Sequence, residues 1–434
     1  MPKYQAPRGT RDLLPADRAA FLRLEAIARD LATRYGYQPI ETPLFEQSEV
    51  FERGVGAVTD VVEKELFRVQ AGRGDQERER WALRPEPTAG LVRAYVQHGM
   101  QTLPQPVKLT LTGPMFRYDR PQAGRYRQFW QFDVEAIGDA GPGIDAEIIE
   151  LGLRFYATAG LTGVEVLLNS IGDAACRPAY IELLRGYFGR YEADLPELER
   201  ARRSTAPLRL LDSKDERMQP LIADAPTIAE HLCDACRAHF DGLKAHLAAV
   251  GITARAAPRL VRGLDYYTRT AFEFYRAGAE GQQQALGGGG RYDGLVELLG
   301  GHPTPGIGFG LGLDRVIIAL AEQGAAPIAV AHPAIVVVGA DPADSTPRFR
   351  VVTLLRAGGL AARADLAPRR LGKQLEGAAR DGAHFAVICG DELAHDQVQV
   401  KDLQAGTQRK VDLRDLVREL QRAGAQHRHG IIDA

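Results

Sequence analysis

Cysteine is scarce in this chain. Four in 434 residues are too few for a disulfide framework and suit a reducing compartment. Long apolar runs are missing too: none approaches the length that spans a bilayer, and the opening MPKYQAPRGTRDLLP has no apolar signal core. A cytoplasmic protein with no membrane partner is expected. Neither sign of charge dominates, since 54 basic residues face 56 acidic ones. The net charge of −2 excludes a coat of positive charge, so any nucleic acid must be met through local patches. Internal repeats and low-complexity segments are absent. The ten histidines are scattered and form no nucleophile–base set with Ser or Cys, which excludes a hydrolase triad read from sequence.

The length exceeds what one hydrophobic core serves, so about two to four domains are expected. Residues 15–35 carry Phe21, Leu24, Ile27, Leu31 and Tyr35 at helical spacing, closed by Gly36. A short strand over 37–41 follows, a second over 107–111, and a helix over 145–160 with Ile148, Leu151, Phe155 and Ala159 on one stripe. Residues 173–257 read as mostly helical, and strand chemistry resumes over 259–275. After the linker-like EQGAAPIAVAHP, the segments AIVVVGA, ARADLA and HFAVICG alternate with helical stretches, the pattern of a small α/β domain with a largely parallel sheet. The expected division is 1–172 and 258–325 as two parts of one core, 173–257 as a helical insertion, 326–333 as linker and 334–434 as the α/β domain. Between Arg348 and Arg380 this last part carries eight basic residues against Asp365 and Glu376. A solvated helix face and an RNA-facing patch are equally compatible with that run.

The segment GPMFRYDRPQAGRYRQFWQFDVEAIG, residues 113–138, carries the most chemistry. In its second strand Trp130, Phe132, Val134 and Ala136 point one way and supply a core face, while Gln131, Asp133 and Glu135 point the other. Arg117, Arg120, Arg125 and Arg127 lie just upstream and repel one another unless an anion compensates, so a zwitterionic or phosphorylated ligand suits the segment. In LRPEPTAGLVR, Glu86 and Thr88 precede a helix; Glu86 can accept from an ammonium, and Thr88 suits an N-cap. In RLVRGLDYYTRTAFEF, Arg262 precedes a glycine turn, and Tyr266 and Tyr267 are expected to face opposite sides of a strand. LGGGGRYDG allows close backbone approach, to a ligand or within a bulged hairpin, and matches no dinucleotide or P-loop pattern. In GIGFGLGLDRV, alternating glycines leave one strand face bare, against which a flat ring such as adenine can lie. Arg315 stands in the first turn of the next helix, where it opposes the dipole unless a phosphate binds both. The pair Cys233 and Cys236, with His231 and His239 nearby, invites a metal reading. No second pair is visible and the segment reads as one continuous helix with Leu232, Cys236 and Phe240 inward, so buried cysteines and no tightly held metal are expected.

Together these motifs resemble class II aminoacyl-tRNA synthetases, and specifically the histidyl-tRNA synthetase family, over nearly the whole chain. FEQSEVFERGVGAVTDVVEKELFRV resembles class motif one with its following loop, residues 113–138 motif two, and GIGFGLGLDRV motif three. RLVRGLDYYTRTAFEF and LGGGGRYDGLV resemble the two histidine signatures. The resemblance implies an α+β class II synthetase core, an antiparallel sheet flanked by helices, with a helical insertion and a C-terminal α/β anticodon-binding domain. It implies ATP-dependent attachment of L-histidine to tRNA(His) through histidyl-adenylate, with ATP and Mg2+ as substrate complex, by a homodimer. By resemblance Arg117 and Arg262 are catalytic, and Arg117, Arg125 and Arg315 bind ATP. Glu86, Thr88 and Gln131 take the histidine ammonium; Glu135 and Tyr267 take the imidazole nitrogens, with Tyr266 completing the pocket. Arg120 and Gln122 meet the tRNA acceptor end. Two departures stand out: Pro87 replaces the usual glycine of RPEGT, and Trp130 replaces a frequent histidine. The main rival is the synthetase-like regulatory subunit of histidine biosynthesis, which binds histidine without charging tRNA. That subunit lacks the C-terminal module and tends to lose the ATP-gripping arginines. Synthetases for threonine, proline or glycine lack the RGLDYY and GGGGRYDG signatures.

Overall fold

The computed structural model describes residues 4–54, 62, 64–69, 80–122, 124–213, 215–261, 266–277, 285–326 and 334–429. They divide into two compact units, residues 1–328 and 329–434. Among the described residues no helix is long and apolar enough to cross a membrane.

The first unit begins with the helix Pro15–Arg34, which buries Phe21, Leu24, Ala28 and Leu31 and ends at Gly36 with φ 80°. Its strands, in chain order, are β1 (Gln38–Pro39), β2 (Phe45–Gln47), β3 (Arg68–Val69), β4 (Trp81–Leu83), β5 (Val107–Phe116) and β6 (Gln128–Ile137). There follow β7 (Val164–Ser170), β8 (Arg255–Ala256), β9 (Thr268–Arg276), β10 (Ala285–Arg291) and β11 (Gly306–Gly312). Eight of them form one sheet in the order β1-β5-β6-β11-β10-β9-β7-β8. The six central strands are antiparallel, and β1 and β8 join the edges in parallel. Strands β2, β4 and β3 form a separate small sheet. One face of the large sheet packs Phe132, Val134, Ala136, Phe272, Phe274 and Phe309 against the helices Pro15–Arg34, Pro142–Ala159 and Leu313–Glu322. Trp130 joins this layer, its ring edge-on to Phe21 with centroids 5.5 Å apart. The expected parity of β6 therefore holds.

Between β7 and β8 lie the helices Arg177–Gly189, Glu197–Thr205, Met218–Asp224 and Asp234–Ala249, with their own core around Tyr180, Leu184, Phe188, Leu210 and Met218. The continuous helix expected through Cys233 is not found. A short 3-10 turn, Ile228–His231, precedes a break, and the long helix starts only at Asp234 with Cys233 as its extended N-cap. Among the described residues of the stretch expected as strand from 259, residues 259–261 are not strand, Tyr266 lies in a turn and β9 begins at Thr268.

The second unit contains β12 (Ile335–Gly339), β13 (Ala362–Ala364), β14 (Phe385–Cys389), β15 (Gln397–Asp402) and β16 (Gln408–Asp412) in the order β13-β12-β14-β15-β16. The first three are parallel, and β15 and β16 add an antiparallel hairpin. Much of the basic run is neutralised within this unit. Arg348 is fully buried, Arg363 pairs with Asp381 at 2.6 Å, and Lys373 pairs with Glu376 at 2.7 Å. Arg356 donates to the Ala362 carbonyl.

Candidate active site

On the side of the sheet away from the large core, β6 presents Gln131, Asp133 and Glu135. This is not a solvated face: Asp133 and Glu135 are each only 1% exposed. Glu135 is held at both oxygens, one accepting from the Thr88 hydroxyl at 2.5 Å and the other from the Tyr292 hydroxyl. Glu86 is also buried, and its two oxygens accept the backbone N–H groups of Thr88 and Ala89 at 2.8 and 3.0 Å. Glu86 thus caps the helix Thr88–Gln97, the job the sequence assigned to the Thr88 hydroxyl, which instead reaches across to Glu135. Pro87 fits at the N-cap with φ −93°, because no N–H is needed from it there.

Burial raises the proton affinity of all three carboxyls, and neighbouring carboxylates raise it further at Asp133 and Glu135. Burial, above all, pushes Glu135 up to about 8, against the hydrogen bonds from Thr88 and Tyr292, and Glu86 adds repulsion. Asp133 lies well above the usual carboxylate range for the same first reason, with the Glu135 and Glu86 charges adding to it. Glu86 is raised by burial despite its two backbone donors. Among the described residues Asp133 Oδ2 and Gln131 Oε1 have no hydrogen-bond partner. A buried, acid-rich, partly unpartnered pocket suits a cationic ligand.

Beside it opens a cavity of about 1150 Å3 whose lining includes Gln131, Arg117, Arg125, Glu273, Gly310 and Arg315. Arg117 donates to the Pro85 carbonyl at 2.9 Å and lies 5.4 Å over the Phe129 ring. Arg125 faces Asp119 at 3.4 Å. Arg315 turns back from the first turn of Leu313–Glu322 to the Ala285 carbonyl. Its neighbour Asp314, rather than Arg315, suits the helix dipole, accepting from Trp130 N–H and Arg11. Burial lowers the Arg315 pKa, and the positive charges of Arg125 and Arg117 lower it further. Mutually repelling guanidiniums around an open cavity form a receptor for a polyanion.

The bare face of β11 also clears space for side chains of β6. In register, Gly308 stands opposite Glu135 and Gly310 opposite Asp133. A Cβ at Gly308 would lie 1.8 Å from Glu135 Oε2, and one at Gly310 2.7 Å from Asp133 Oδ1. Gly308 and Gly310 make room for the carboxyls of β6, while Gly310 and Gly312 line the cavity. In β10 the glycines follow the hairpin alternative, with register shifts at both ends of the run and backbone contact on both sides.

Tyr266 and Tyr267 do not face opposite ways. Preceding the strand, they touch each other with ring centroids 4.6 Å apart. Burial raises the Tyr266 pKa well above the usual range, with Tyr267 and then the Glu86 and Glu135 charges adding to it, which puts Tyr266 beside the acid pocket. Tyr267 packs with Ile171 and Ala271. Arg120 and Gln122 lie on the loop between β5 and β6, where Gln122 pairs with Arg125 in an isolated bridge. Arg262 lies outside the described residues, as does much of the motif-one stretch.

Tyr292 is the site residue that sequence reading passed over. Its signal was parity within GGGGRYDG. Arg291, fully buried, points to the helix layer, with Nη2 2.5 Å from Asp145 Oδ1. The next residue must then point the other way, toward Glu135. Asp145 also binds His239 at 2.8 Å and Thr270 at 2.5 Å, so His239 has a structural partner.

With this geometry in hand, comparison with known proteins is informative. Residues 9–316 match the family model described as "Histidyl-tRNA synthetase", and residues 332–423 match "Anticodon binding domain". The chain is 46% identical over 419 residues to the histidine--tRNA ligase of Desulforudis audaxviator, covering 96% of this chain and 98% of that one. It is 46% identical over 416 residues to the protein of the same name from Anaeromyxobacter dehalogenans, covering 95% and 98%. Among solved structures, apo histidyl-tRNA synthetase from S. aureus superposes with a TM-score of 0.80 at 35% identity, covering 96% of this chain and 99% of that one.

Proposed function

The chain belongs to the histidyl-tRNA synthetase family of class II aminoacyl-tRNA synthetases and ligates histidine to tRNA; from that premise we propose how its site divides the work. Histidine occupies the acid pocket, its ammonium toward Glu86, Thr88 and Gln131, its imidazole toward Glu135 and Tyr267, with Tyr266 closing the space. ATP, entering with Mg2+ as one substrate complex, lies in the adjoining cavity with its α-phosphate at Arg117, Arg125 alongside and its γ-phosphate at Arg315. The histidine carboxylate attacks the α-phosphorus, the bond to pyrophosphate breaks, and histidyl-adenylate results. Two anions meet in that step, so fixed cations aimed at the α-phosphate stabilise the charge as it develops. A ribose hydroxyl at the tRNA end then attacks the adenylate carbonyl, loses its proton, and AMP leaves. By family resemblance Arg262 aids the first step, and Arg120 and Gln122 meet the acceptor end of tRNA(His). The reading extends to a cytoplasmic homodimer divided as 1–172, 173–257, 258–325, 326–333 and 334–434.

One observation carries this division: a single strand serves both compartments. Gln131 lines the arginine cavity, while Asp133 and Glu135, two and four residues on, sit in the acid pocket. That arrangement supports a reading in which a cationic amino acid lies against a polyanion, as adenylate formation requires. The regulatory-subunit alternative is not favoured, because the anticodon-binding family matches residues 332–423 and Arg117 and Arg315 both face the cavity. ATP–pyrophosphate exchange with a panel of amino acids tests the reading. Histidine-dependent exchange is expected; none would refute catalysis, and exchange with threonine, proline or glycine would refute the specificity.

A further inference from the structure

Three of the four cysteines meet at one point, together with a carboxylate. The donor atoms of Asp173, Cys176, Cys233 and Cys236 all lie within 4.8 Å of one another. Cys176 Sγ is 3.8 Å from Cys236 Sγ and 3.7 Å from Asp173 Oδ1, and Cys233 Sγ is 3.9 Å from the same oxygen. A tetrahedral zinc ion takes thiolate at about 2.3 Å and carboxylate oxygen at about 2.0 Å, so its donors stand about 3.8 Å apart for sulfur pairs and about 3.5 Å apart for sulfur and oxygen. These three edges match within a few tenths of an ångström, and the other three lie within 4.8 Å.

Cys176 is the N-cap of Arg177–Gly189 and Cys233 the N-cap of Asp234–Ala249, with Cys236 in the first turn of the latter. The positive ends of two long helices therefore converge on the sulfurs. Asp173 is oriented from behind: Arg269 grips Oδ2 at 3.1 and 3.3 Å, and the Ala175 N–H donates to Oδ1 at 3.0 Å. Such outer hydrogen bonds aim a metal-ligating carboxylate. Arg269 keeps this position at φ 50°, a left-handed conformation that non-glycine residues rarely hold. The neighbouring histidines have other partners, His239 on Asp145 and His231 stacked on Tyr180.

We propose that Asp173, Cys176, Cys233 and Cys236 form a closed, structural zinc site. Cys236 is fully buried and Cys176 is 6% exposed, so the four donors complete the shell and leave no open position for a reacting ligand. The ion would tie the start of two helices of the 173–257 segment to the end of β7 and, through Arg269, to β9. The sequence concealed this set because 57 positions separate Cys176 from Cys233, and Asp173 carries no motif.

The test uses the full chain without a metal-chelating tag, expressed with zinc and purified under reductant. Elemental analysis is expected to find one zinc per chain, lost in Cys233→Ser and Cys236→Ser and kept in Cys389→Ala, whose thiol lies in the other unit. Should the serine variants misfold, the parent decides. Cobalt(II) exchanged into it should give the visible bands and near-ultraviolet charge transfer of a tetrahedral thiolate site, and a chelator should release thiols that a disulfide reagent does not otherwise reach. Zinc below a tenth of an equivalent, with no cobalt spectrum, would reduce the cluster to buried thiols and overturn the proposal. A mass two hydrogens short, marking a Cys176–Cys236 disulfide, would overturn it equally.

Discussion

Replacing Glu135 by glutamine should change how the stability of the first unit depends on pH. The amide keeps the shape and can still meet the Thr88 and Tyr292 hydroxyls, but it cannot ionise. In the parent, burial pushes Glu135 up to about 8 from an ordinary value of 4.5. Below pH 4.5 the group is protonated whether folded or unfolded and contributes no slope. Between 4.5 and 8 the unfolded chain gives up this proton while the folded one keeps it, so parental stability falls by about 1.4 kcal/mol per pH unit. Above about 9 both forms are ionised and the slope ends. Relative to the parent, Glu135→Gln should therefore gain on the order of 4 kcal/mol between pH 5 and pH 9. Asp133 and Glu86 titrate in both proteins, but without the Glu135 charge Asp133 is raised less, which moves the difference in the same direction. Urea unfolding followed by tryptophan fluorescence is the assay, because Trp81 and Trp130, the two tryptophans, both lie in this unit. Two profiles that stay parallel within about 1 kcal/mol would refute the reasoning.

Other outcomes can be stated briefly. Gly308→Ala drives a methyl into Glu135 Oε2 and should raise the KM for histidine at least tenfold with little change for ATP; an equal effect on both substrates would count against the imidazole role of Glu135. Arg315→Ala should weaken ATP at least tenfold in pyrophosphate exchange while direct histidine binding survives. Arg291→Met strips Asp145 of its main cation and leaves a buried carboxylate, which should cost about 3–5 kcal/mol of urea stability; a loss under 1 kcal/mol would mean His239 and Thr270 suffice.

How much of this was legible in the sequence depended on the range of the interaction. Side-chain parity along β6 is a local property, and Phe132, Val134 and Ala136 against Asp133 and Glu135 came out as alternation predicts. The helix Pro15–Arg34 and its glycine stop were equally local. What was missed involved partners far apart in the chain. The glycines of β11 suggest room for a ring, and only the register shows Glu135 opposite Gly308. Tyr266 and Tyr267 look like strand neighbours until the strand is found to begin one residue later. Cys176 finds Cys236 only because two helices start at the same place. Periodicity reports which way a side chain points, not what it meets there.

The glycine lanes also bear on how this pocket can change over evolution or in the laboratory. A Cβ at Gly289 would sit 2.0 Å from the Gly308 carbonyl oxygen, and one at Gly308 1.8 Å from Glu135. At their glycine positions these two adjacent strands thus offer no side chain to vary. On the proposed assignment, retuning toward another amino acid falls to β6, to the helix start at residues 86–88, or to the tyrosines 266, 267 and 292. Library design for altered amino-acid preference should spend its diversity on those few positions and leave both glycine strands untouched.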